Sequence, residues 1–222
     1  MKKAVVLLSG GLDSATTLYL AKKQGYKCFC LIFDYCQRHK KEIEYAKKIA
    51  RVSSCSAQVI KINLPWRGSS LLDKKLGIPQ RIKGKNTIPS TYVPGRNIIF
   101  LSFALSFAEV AQAEAIFIGA HIQDYSGYPD CRPEFYRAFK EVISTGTRAG
   151  VEKRGIKIEA PLIRKAKVQI IRLARKLEVP LALTWSCYRG GKIPCGKCDS
   201  CYYRHKGFQE AGIKDPSLRD VF

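Results

Sequence analysis

Several features are missing from this sequence of 222 residues. No apolar run approaches the roughly 20 residues that a bilayer-spanning helix needs, and no cleavable leader precedes the first apolar stretch. Internal repeats and low-complexity tracts are absent as well. Acidic residues are few, 18 against 39 basic ones. These absences predict a soluble, intracellular, globular protein with a strongly basic composition.

The formal net charge of +21 has two interpretations. A basic protein attracts anionic partners such as nucleotides, pyrophosphate or RNA. A lysine-rich surface also suits a hot or salty habitat, and composition alone does not separate the two. The length is sufficient for one large domain, or for a domain with an appendage, and an apolar content of 46% is ordinary for a globular core.

The nine cysteines are unusual for a protein without a leader, where thiols and metal ligands are more common than disulfides. Four of them form the pattern C-x7-C-x2-C-x2-C, namely Cys187, Cys195, Cys198 and Cys201. Four thiolates at this spacing favour a structural zinc site, with an iron–sulfur cluster or disulfides as alternatives. Lys192, Lys197 and Arg204 would offset its negative charge, and His205 is interpreted as a surface residue.

Strand and helix patterns alternate along the chain. Predicted strands cover residues 4–8, 27–33, 57–62, 115–119 and 156–159, and predicted helices cover 15–21, 39–52, 96–113, 133–144 and 167–177. This alternation predicts an α/β fold with a Rossmann-like, doubly wound parallel sheet of about five strands. We expect an α/β domain over residues 1–184, with a four-cysteine segment over 185–222 packed on it.

The first strand leads through two glycines into the first helix, in a segment that we call the 9–14 turn. It reads Ser9-Gly10-Gly11-Leu12-Asp13-Ser14. Free backbone N–H groups and the helix dipole make such a turn an anion site, to which the two serines add hydroxyl donors. Asp13 or Ser14 is placed to cap the helix. The turn matches neither the Walker loop nor the dinucleotide fingerprint. An ordinary tight turn is the alternative.

Three further stretches mix turn residues with arginine, aspartate or aromatic side chains. They are residues 35–39 after the second strand, 89–97 before the apolar helix, and 124–132 after the fourth strand. Parallel sheets bind ligands at the carboxyl ends of their strands, so these stretches are expected to converge with the 9–14 turn. Residues 63–95, which contain four prolines, are expected to form a lid or a binding segment.

The 9–14 turn resembles the PP-loop, Ser-Gly-Gly-x-Asp-Ser, of enzymes that split ATP between the α- and β-phosphates. The whole set of motifs resembles the 7-cyano-7-deazaguanine synthase family of the queuosine and archaeosine pathways, from about residue 5 to residue 207. The set adds Gln-Arg-His at 37–39, Val-Pro-Gly-Arg-Asn at 93–97, Ser-Gly-Tyr-Pro-Asp-Cys-Arg at 126–132 and the cysteine cluster. One departure is Gln169, where the family often has glutamate two residues after the lysine found here as Lys167.

The resemblance implies a PP-loop ATP pyrophosphatase fold and a cytoplasmic ligase that forms carbon–nitrogen bonds. The implied substrates are 7-carboxy-7-deazaguanine, ammonia from solution and ATP, and adenylated carboxylate and amide intermediates lead to the nitrile. Mg²⁺ would accompany ATP, and one structural zinc ion would occupy the cysteine cluster. Nucleic acid is not required, no membrane is involved, and a homodimer is expected from the family.

The resemblance also assigns the site residues. Those expected to act in catalysis are Ser9, Asp13, Ser14 and Lys167. Those expected to bind ATP are Leu8, Ser9, Gly10, Gly11, Leu12, Asp13, Ser14, Ala15, Thr16, Thr17 and Leu18. Those expected to bind the acid substrate are Gln37, Arg38, His39, Arg96, Asn97, Asp124, Tyr128, Asp130, Cys131 and Arg132.

Individual roles follow from side-chain chemistry. Asp13 is expected to hold Mg²⁺, and the arginines and Lys167 to neutralise phosphate or carboxylate. Asp124 or Asp130 would accept the N–H donors of the guanine-like edge. Tyr128 would stack on the ring, and Arg132 would bind the carboxylate.

Two other function classes remain open at this point. One is a tRNA-modifying PP-loop enzyme, a thiolase or a lysidine synthase, which the basic charge favours. It should carry an RNA-binding appendage or a sulfur-handling cysteine pair, whereas Cys36 and Cys131 stand singly. The other is a non-catalytic zinc module that binds nucleic acid, which leaves the 9–14 turn unexplained.

Overall fold

The computed structural model describes residues 1–80, 88–125 and 127–218. The strands are β1 (Lys3–Leu7), β2 (Lys27–Asp34), β3 (Ser56–Lys61), β4 (Ala115–Phe117) and β5 (Lys157–Glu159). The α-helices are α1 (Leu12–Lys23), α2 (Lys41–Val52), α3 (Arg96–Ala111), α4 (Ile122–Tyr125), α5 (Pro133–Gly146), α6 (Arg148–Val151), α7 (Lys167–Lys176) and α8 (Asp199–Ala211). Within these ranges, no helix is both long enough and apolar enough to cross a membrane.

The strands form one parallel sheet in the order β3-β2-β1-β4-β5. The predicted doubly wound α/β class is therefore confirmed. β1 is the central strand, with β2 and then β3 on one side of it and β4 and then β5 on the other. The strand order reverses between β1 and β4, and this is where a sheet of this kind leaves a crevice at its carboxyl edge.

Alternate residues of β1 face two different hydrophobic layers, as the period of a strand requires. Val5 and Leu7 belong to the layer that contains the buried residues of α3 and α5. Ala4 and Val6 belong to the opposite layer, with the buried residues of α1, α2 and α7. Both faces of β1 are consequently buried, which explains why its sequence is continuously apolar.

Three helices of the structure were not predicted. The helices α4 and α6 have four residues each, too few for a helical period to appear. The helix α8 begins inside the cysteine cluster, where cysteine spacing hid the helical pattern. It packs closely on α7 at Gly207, where a Cβ atom would lie 2.6 Å from Cγ of Lys167, and Phe208 enters the core.

The irregular segment over residues 63–95 covers the end of β2. Its described parts, 63–80 and 88–95, contain no helix or strand, and residues 81–87 lie outside the described residues. Leu71 and Val93 are buried in the core. The Arg38 guanidinium donates to the carbonyls of Asp73 and Leu76, both at 2.9 Å. The segment is thus attached to the edge of the sheet that was expected to bind a ligand.

The turn between β1 and α1 approaches α2 so closely that only glycine fits at position 10. Gly10 has φ of +85°, and a Cβ atom there would lie 2.2 Å from the carbonyl oxygen of Glu42 and 2.7 Å from the amide nitrogen of Ala46. Gly119 after β4 has a similar function, because its Cβ atom would lie 3.0 Å from the Ser14 nitrogen. Two glycines therefore hold the turn between α2 and β4.

Replacing Gly10 by Ala should destabilise the fold more than the matched change Gly25→Ala. Gly25 has φ of +84°, and nothing lies within 4 Å of its Cβ position. Both changes share a backbone cost of about 1 kcal/mol, whereas only Gly10→Ala adds about 1–3 kcal/mol of steric overlap. Urea unfolding followed by circular dichroism measures both. Equal losses of unfolding free energy would show that the contact with α2 is not tight.

Candidate active site and metal centre

A cavity of about 220 Å³ opens at the carboxyl ends of β1, β2 and β4. It is bordered by the 9–14 turn, by residues of the stretches 35–39 and 124–132, and by Arg96 and Asn97 at the start of α3. The predicted site residues that line it are Leu8, Ser9, Gly11, Asp13, Ser14, His39, Arg96, Asn97, Asp124, Tyr128 and Cys131. The expected convergence of separate stretches in one crevice is what the structure shows.

The two serines of the 9–14 turn hold its shape. The Ser14 hydroxyl donates to the carbonyl of Gly11 at 3.0 Å and accepts from the amide of Ser9 at 3.2 Å. The two hydroxyl oxygens are 3.0 Å apart. The N-cap of α1 is Gly11, which makes no side-chain bond, so the prediction that Asp13 or Ser14 caps the helix is wrong. The first-turn N–H groups lack partners within the helix and can receive an anion.

Asp13 lies in a cluster of charged groups at the start of α1. Lys167 Nζ is 2.8 Å from each carboxylate oxygen of Asp13 and 2.8 Å from Nε2 of His121. The carboxylate of Asp124 is 3.6 Å from the same His121 nitrogen. Lys167 opens α7, and Gln169 Oε1 accepts from the amide of Ala166 at 2.9 Å. A neutral amide fulfils this helix-start role, so the replacement of glutamate leaves Lys167 in place.

The charge cluster shifts the pKa values of its members. Burial would raise the pKa of Asp13, but the charges of Lys167 and His121 outweigh burial and hold that pKa below its usual value. Burial would lower the pKa of His121, whereas Asp13 and Asp124 raise it above the ordinary value. The Asp13 carboxylate is therefore charged at neutral pH and has lone pairs left for a cation.

Aromatic and cationic side chains form the opposite wall of the cavity. Arg96 Nη1 donates to the hydroxyl of Tyr35 at 3.3 Å, and burial raises the pKa of Tyr35 to about 12. The Tyr128 hydroxyl is 2.8 Å from Oγ1 of Thr91. This wall combines a fixed positive charge with flat apolar surfaces, which suits a planar ring that bears an acidic group.

Several predicted substrate residues make structural contacts instead of lining the cavity. The side-chain amide of Gln37 is bonded to the backbone at the end of β2. Its oxygen accepts from the amide of Tyr35 at 2.8 Å, and its nitrogen donates to the carbonyl of Phe33 at 3.0 Å. The buried Asp130 carboxylate accepts from the amide of Asn97 at 2.9 Å, where it satisfies an orphan donor at the start of α3. Arg132 is exposed to solvent, and Ser126 of the same stretch lies outside the described residues.

Only part of the segment predicted to bind ATP, residues 8–18, lines the cavity. Beyond Ser14, the helix α1 turns into the core. Ala15, Thr16, Thr17 and Leu18 are fully buried there, as are Gly10 and Leu12 of the turn. Their backbone shapes the anion site, but their side chains pack away from the cavity.

Sequence reasoning missed several cavity residues. They are Tyr35, Glu42, Trp185, Ser186, Tyr188 and Ser200, among others. It also missed His121, which does not line the cavity but lies beside Asp13 and Lys167. His121 follows the predicted fourth strand by two residues, and this position at the sheet edge was an available signal. Glu42 and Tyr188 carried none, because each reaches the cavity only through tertiary packing.

The four cysteines of the C-terminal pattern meet at one point, which fits a metal site. Their sulfur atoms all lie within 4.8 Å of one another. Tetrahedral zinc with bonds of about 2.3 Å requires sulfurs about 3.8 Å apart, so small adjustments complete the geometry. Cys198 and Cys201 stand at the start of α8, where the helix dipole favours thiolates. None of the nine cysteines is in a disulfide.

Arg204 does not offset the charge of this cluster as expected. Its guanidinium is buried and bonds the Asp215 carboxylate at 2.7 Å and 2.9 Å, and the Thr184 hydroxyl at 2.8 Å. It instead connects α8 to the residues before Trp185. His205 is exposed, as predicted.

Comparison with known proteins gives a consistent result. The family model of the queuosine biosynthesis protein QueC matches residues 3–212. The 7-cyano-7-deazaguanine synthase of Acetivibrio thermocellus is 53% identical over 216 residues, covering 97% of this chain and 96% of that protein. That of Picrophilus torridus is 53% identical over 217 residues, covering 97% of this chain and 90% of that protein.

Solved structures support the fold. NMN synthetase from Francisella tularensis matches with a TM-score of 0.52 at 15% identity, over 96% of this chain and 78% of that one. A 4-thiouridine synthetase in complex with RNA and ATP matches with a TM-score of 0.50 at 20% identity, over 95% of this chain and 50% of that one. At these identities the likeness concerns the fold alone.

Replacing Lys167 by Met should raise the pKa of Asp13 by about one to three pH units, because the nearest positive charge is removed. The stability that ionised Asp13 contributes is complete above its unfolded-state pKa of about 3.9 and is lost as the pH falls through its lowered folded pKa. NMR titration of the carboxyl carbon gives the value. The control is Lys165→Met, two residues away. An unchanged Asp13 pKa in the Lys167 variant would refute the ion pair.

Proposed function

The chain belongs to the QueC family of queuosine biosynthesis proteins, and we propose that it converts 7-carboxy-7-deazaguanine and ammonia into 7-cyano-7-deazaguanine while cleaving ATP to AMP and pyrophosphate. It is an enzyme of the ligase class. One observation carries the proposed chemistry: a single cavity is lined by the 9–14 turn, by Asp13, which is paired with Lys167, and by an aromatic wall with Arg96.

The first step activates a poor electrophile. A carboxylate cannot expel oxide, so its oxygen attacks the α-phosphate of ATP and pyrophosphate departs. The amides of the 9–14 turn, with Ser9 and Ser14, stabilise the leaving phosphates. Lys167 is close enough to Asp13 to reach the same phosphates. Ammonia then displaces AMP and forms the amide.

A second activation yields the nitrile. The amide oxygen takes an adenylyl group in the same manner. The nitrogen then gives up both of its protons and the bond from carbon to the AMP oxygen breaks, which leaves the carbon–nitrogen triple bond. Each cycle thus uses the same turn twice, once for an acid and once for an amide. A site that binds ATP and the ring in separate regions permits this repetition without moving the ring.

Asp13 is the residue that would hold Mg²⁺ together with ATP. Its charged carboxylate retains acceptor positions beside Lys167, and Asp124 brings a second carboxylate to the cluster. Oxygen donors of this kind suit Mg²⁺, which would neutralise charge on the phosphates.

Asp124, Tyr128 and Arg96 are the residues that we propose for the deazaguanine ring. All three line the cavity. A carboxylate accepts the paired donors of the guanine-like edge, a tyrosine face stacks on the ring, and a guanidinium binds the 7-carboxylate. Asn97 and Cys131 line the same wall. Asp130 is proposed to act indirectly, because its carboxylate fixes the start of α3, which carries Arg96 and Asn97.

Zinc is the metal that we propose for the four-cysteine cluster, with a structural role. Four sulfur donors leave no open position, as in closed structural sites. The segment over 185–222 would then be a metal-stabilised unit packed on the domain over 1–184. Support for the packing of the two parts comes from Arg204, which donates to the Thr184 hydroxyl across the boundary.

A homodimer formed through α3 and a cytoplasmic location complete the proposal. Exposed apolar side chains follow α3, with Ile98 48%, Phe103 43% and Val110 80% exposed. No lysine or arginine follows Arg96 in this helix, so contact between two α3 helices would bring no further basic side chains together although each chain has a net charge of +21. The free cysteines suit a reducing compartment.

The tRNA-modifying alternative is not favoured. The arginine and the aromatic side chains that line the cavity suit a small planar acid. Cys131, a cysteine that also lines the cavity, is buried and accepts a hydrogen bond from Asn97. Burial raises the pKa of the Cys131 thiol above its ordinary value, contrary to what a sulfur carrier needs.

Asp13→Ala and Ser14→Ala should each lower AMP formation by at least about 10²-fold, because each removes a group that faces the phosphates. Wild-type protein with ATP, ammonium and 7-carboxy-7-deazaguanine should yield the nitrile by mass spectrometry. Ser102→Ala, an exposed change on α3, is the control. Near wild-type turnover in both site variants would remove the 9–14 turn from the mechanism, and absence of nitrile from the wild type would refute the function.

Purified protein should contain close to one zinc ion per chain, and Cys201→Ser should lose it together with thermal stability. The control is Cys30→Ser, which alters a buried thiol outside the cluster. Elemental analysis measures the zinc and iron content, and visible absorption reveals an iron–sulfur cluster. A brown protein that contains iron, or a metal-free protein of unchanged stability, would contradict the assignment.

A further inference from the structure

His39 occupies a special position in the cavity. It follows β2 in a turn that the Gln37 side chain holds in shape, and it is 3% exposed while lining the cavity. Its ring packs edge-on against Tyr188, with the ring centres 5.7 Å apart. The imidazole is therefore held firmly, in a part of the cavity from which bulk water is largely excluded.

Glu42 fixes the orientation of this imidazole. Nε2 of His39 lies 3.2 Å from Oε2 of Glu42, in the first turn of α2. The other carboxylate oxygen accepts from Nε2 of Gln37 at 3.2 Å. The Glu42 carboxylate is thus held by Gln37 within contact distance of His39 Nε2. A neutral imidazole that carries its proton on Nε2, facing this carboxylate, has a lone pair on the second nitrogen, Nδ1.

This second nitrogen is left without a hydrogen-bond partner. Among the described residues, His39 Nδ1 is one of few buried side-chain nitrogen or oxygen atoms that have none. Buried polar atoms are almost always paired, so an exception in a cavity wall suggests that its partner is a substrate. A carboxylate, a packed imidazole and an acceptor nitrogen without a partner are the arrangement of a general base.

We propose that His39 Nδ1 is the base that deprotonates ammonium, the form in which most ammonia exists at neutral pH. This inference rests on the proposed function. One proton passes from ammonium to Nδ1, the freed lone pair attacks the carbonyl carbon of the acyl adenylate, and the bond from carbon to the AMP oxygen breaks. The newly bound nitrogen loses a second proton to the departing phosphate of AMP, which leaves the neutral amide. AMP leaves with its electrons, and the imidazolium, stabilised by Glu42, later returns its proton to solvent.

His121, which lies beside the cavity next to Asp13, is less suited to this role. Nε2 of His121 is 2.8 Å from Lys167 Nζ and 3.4 Å from Asp13, so this nitrogen belongs to the charge cluster beside the phosphates. A positive ammonium would meet the positive Lys167 there. Beside His39, the nearest charged partner is the carboxylate of Glu42, which attracts ammonium.

The test compares two nucleophiles in His39→Asn and Glu42→Gln. Hydroxylamine is uncharged at neutral pH, attacks the adenylate without prior deprotonation and yields a hydroxamate. We expect His39→Asn to lower amide and nitrile formation from ammonium by about 10²-fold or more. Hydroxamate formation from hydroxylamine should change by less than about threefold. Glu42→Gln should show the same selectivity to a smaller degree. His205→Asn, an exposed histidine of α8, is the matched control.

A second measurement separates this role from misfolding and from a wrong function. Acid-dependent exchange of labelled pyrophosphate into ATP, without ammonium, reports adenylation alone and should remain near the wild-type rate in both variants. Equal losses with ammonium and hydroxylamine would overturn the base assignment, as would loss of exchange or full activity of His39→Asn with ammonium. Absence of exchange in wild-type protein would instead refute the proposed function.

Discussion

The structure depends on the close approach of the 9–14 turn to its neighbours. The carbonyl of Glu42 occupies the place that a side chain at Gly10 would need, and the start of α1 occupies the equivalent place at Gly119. These contacts set the turn between α2 and the end of β4, at the point where strand order reverses. The 9–14 turn, with Asp13, and Glu42 in the first turn of α2 consequently face one cavity. Every chemical step proposed for this protein depends on that placement.

The C-terminal segment borders the candidate site as well as carrying the four-cysteine cluster. The amide of Trp185 donates to the carbonyl of Gly10 at 2.9 Å, which ties the segment to the 9–14 turn. Lys41 Nζ lies 4.2 Å from the Trp185 ring centre and also bonds the carbonyl of Lys192. Tyr188, next to Cys187, contacts His39. A metal that orders the cysteine loop therefore also orders one wall of the cavity.

Local sequence was most informative where a site is formed by residues close together in the chain. The glycines and serines of the 9–14 turn indicated an anion site, and the cysteine spacing indicated a metal site, because both depend on near neighbours in the chain. Within residues 124–132 the outcome was mixed. Asp124 and Tyr128 line the cavity, whereas Asp130 is turned inward to the amide of Asn97. The direction of each side chain depends on how a short turn folds over α3, which composition does not encode.

The sequence by itself determined the parallel sheet, its alternating helices, the anion-binding turn and the cluster of four cysteines, since each arises from periodicity or spacing within a short stretch. Tertiary structure alone decided which side chains meet. Glu42 lies 3.2 Å from His39, whose other ring nitrogen has no hydrogen-bond partner. Lys167 pairs with Asp13, which is 154 positions earlier in the chain, and Tyr188 of the C-terminal segment lines the cavity. The physical reason is that charge pairing and burial depend on distance in space, and that distance is set by the packing of layers and not by separation along the chain.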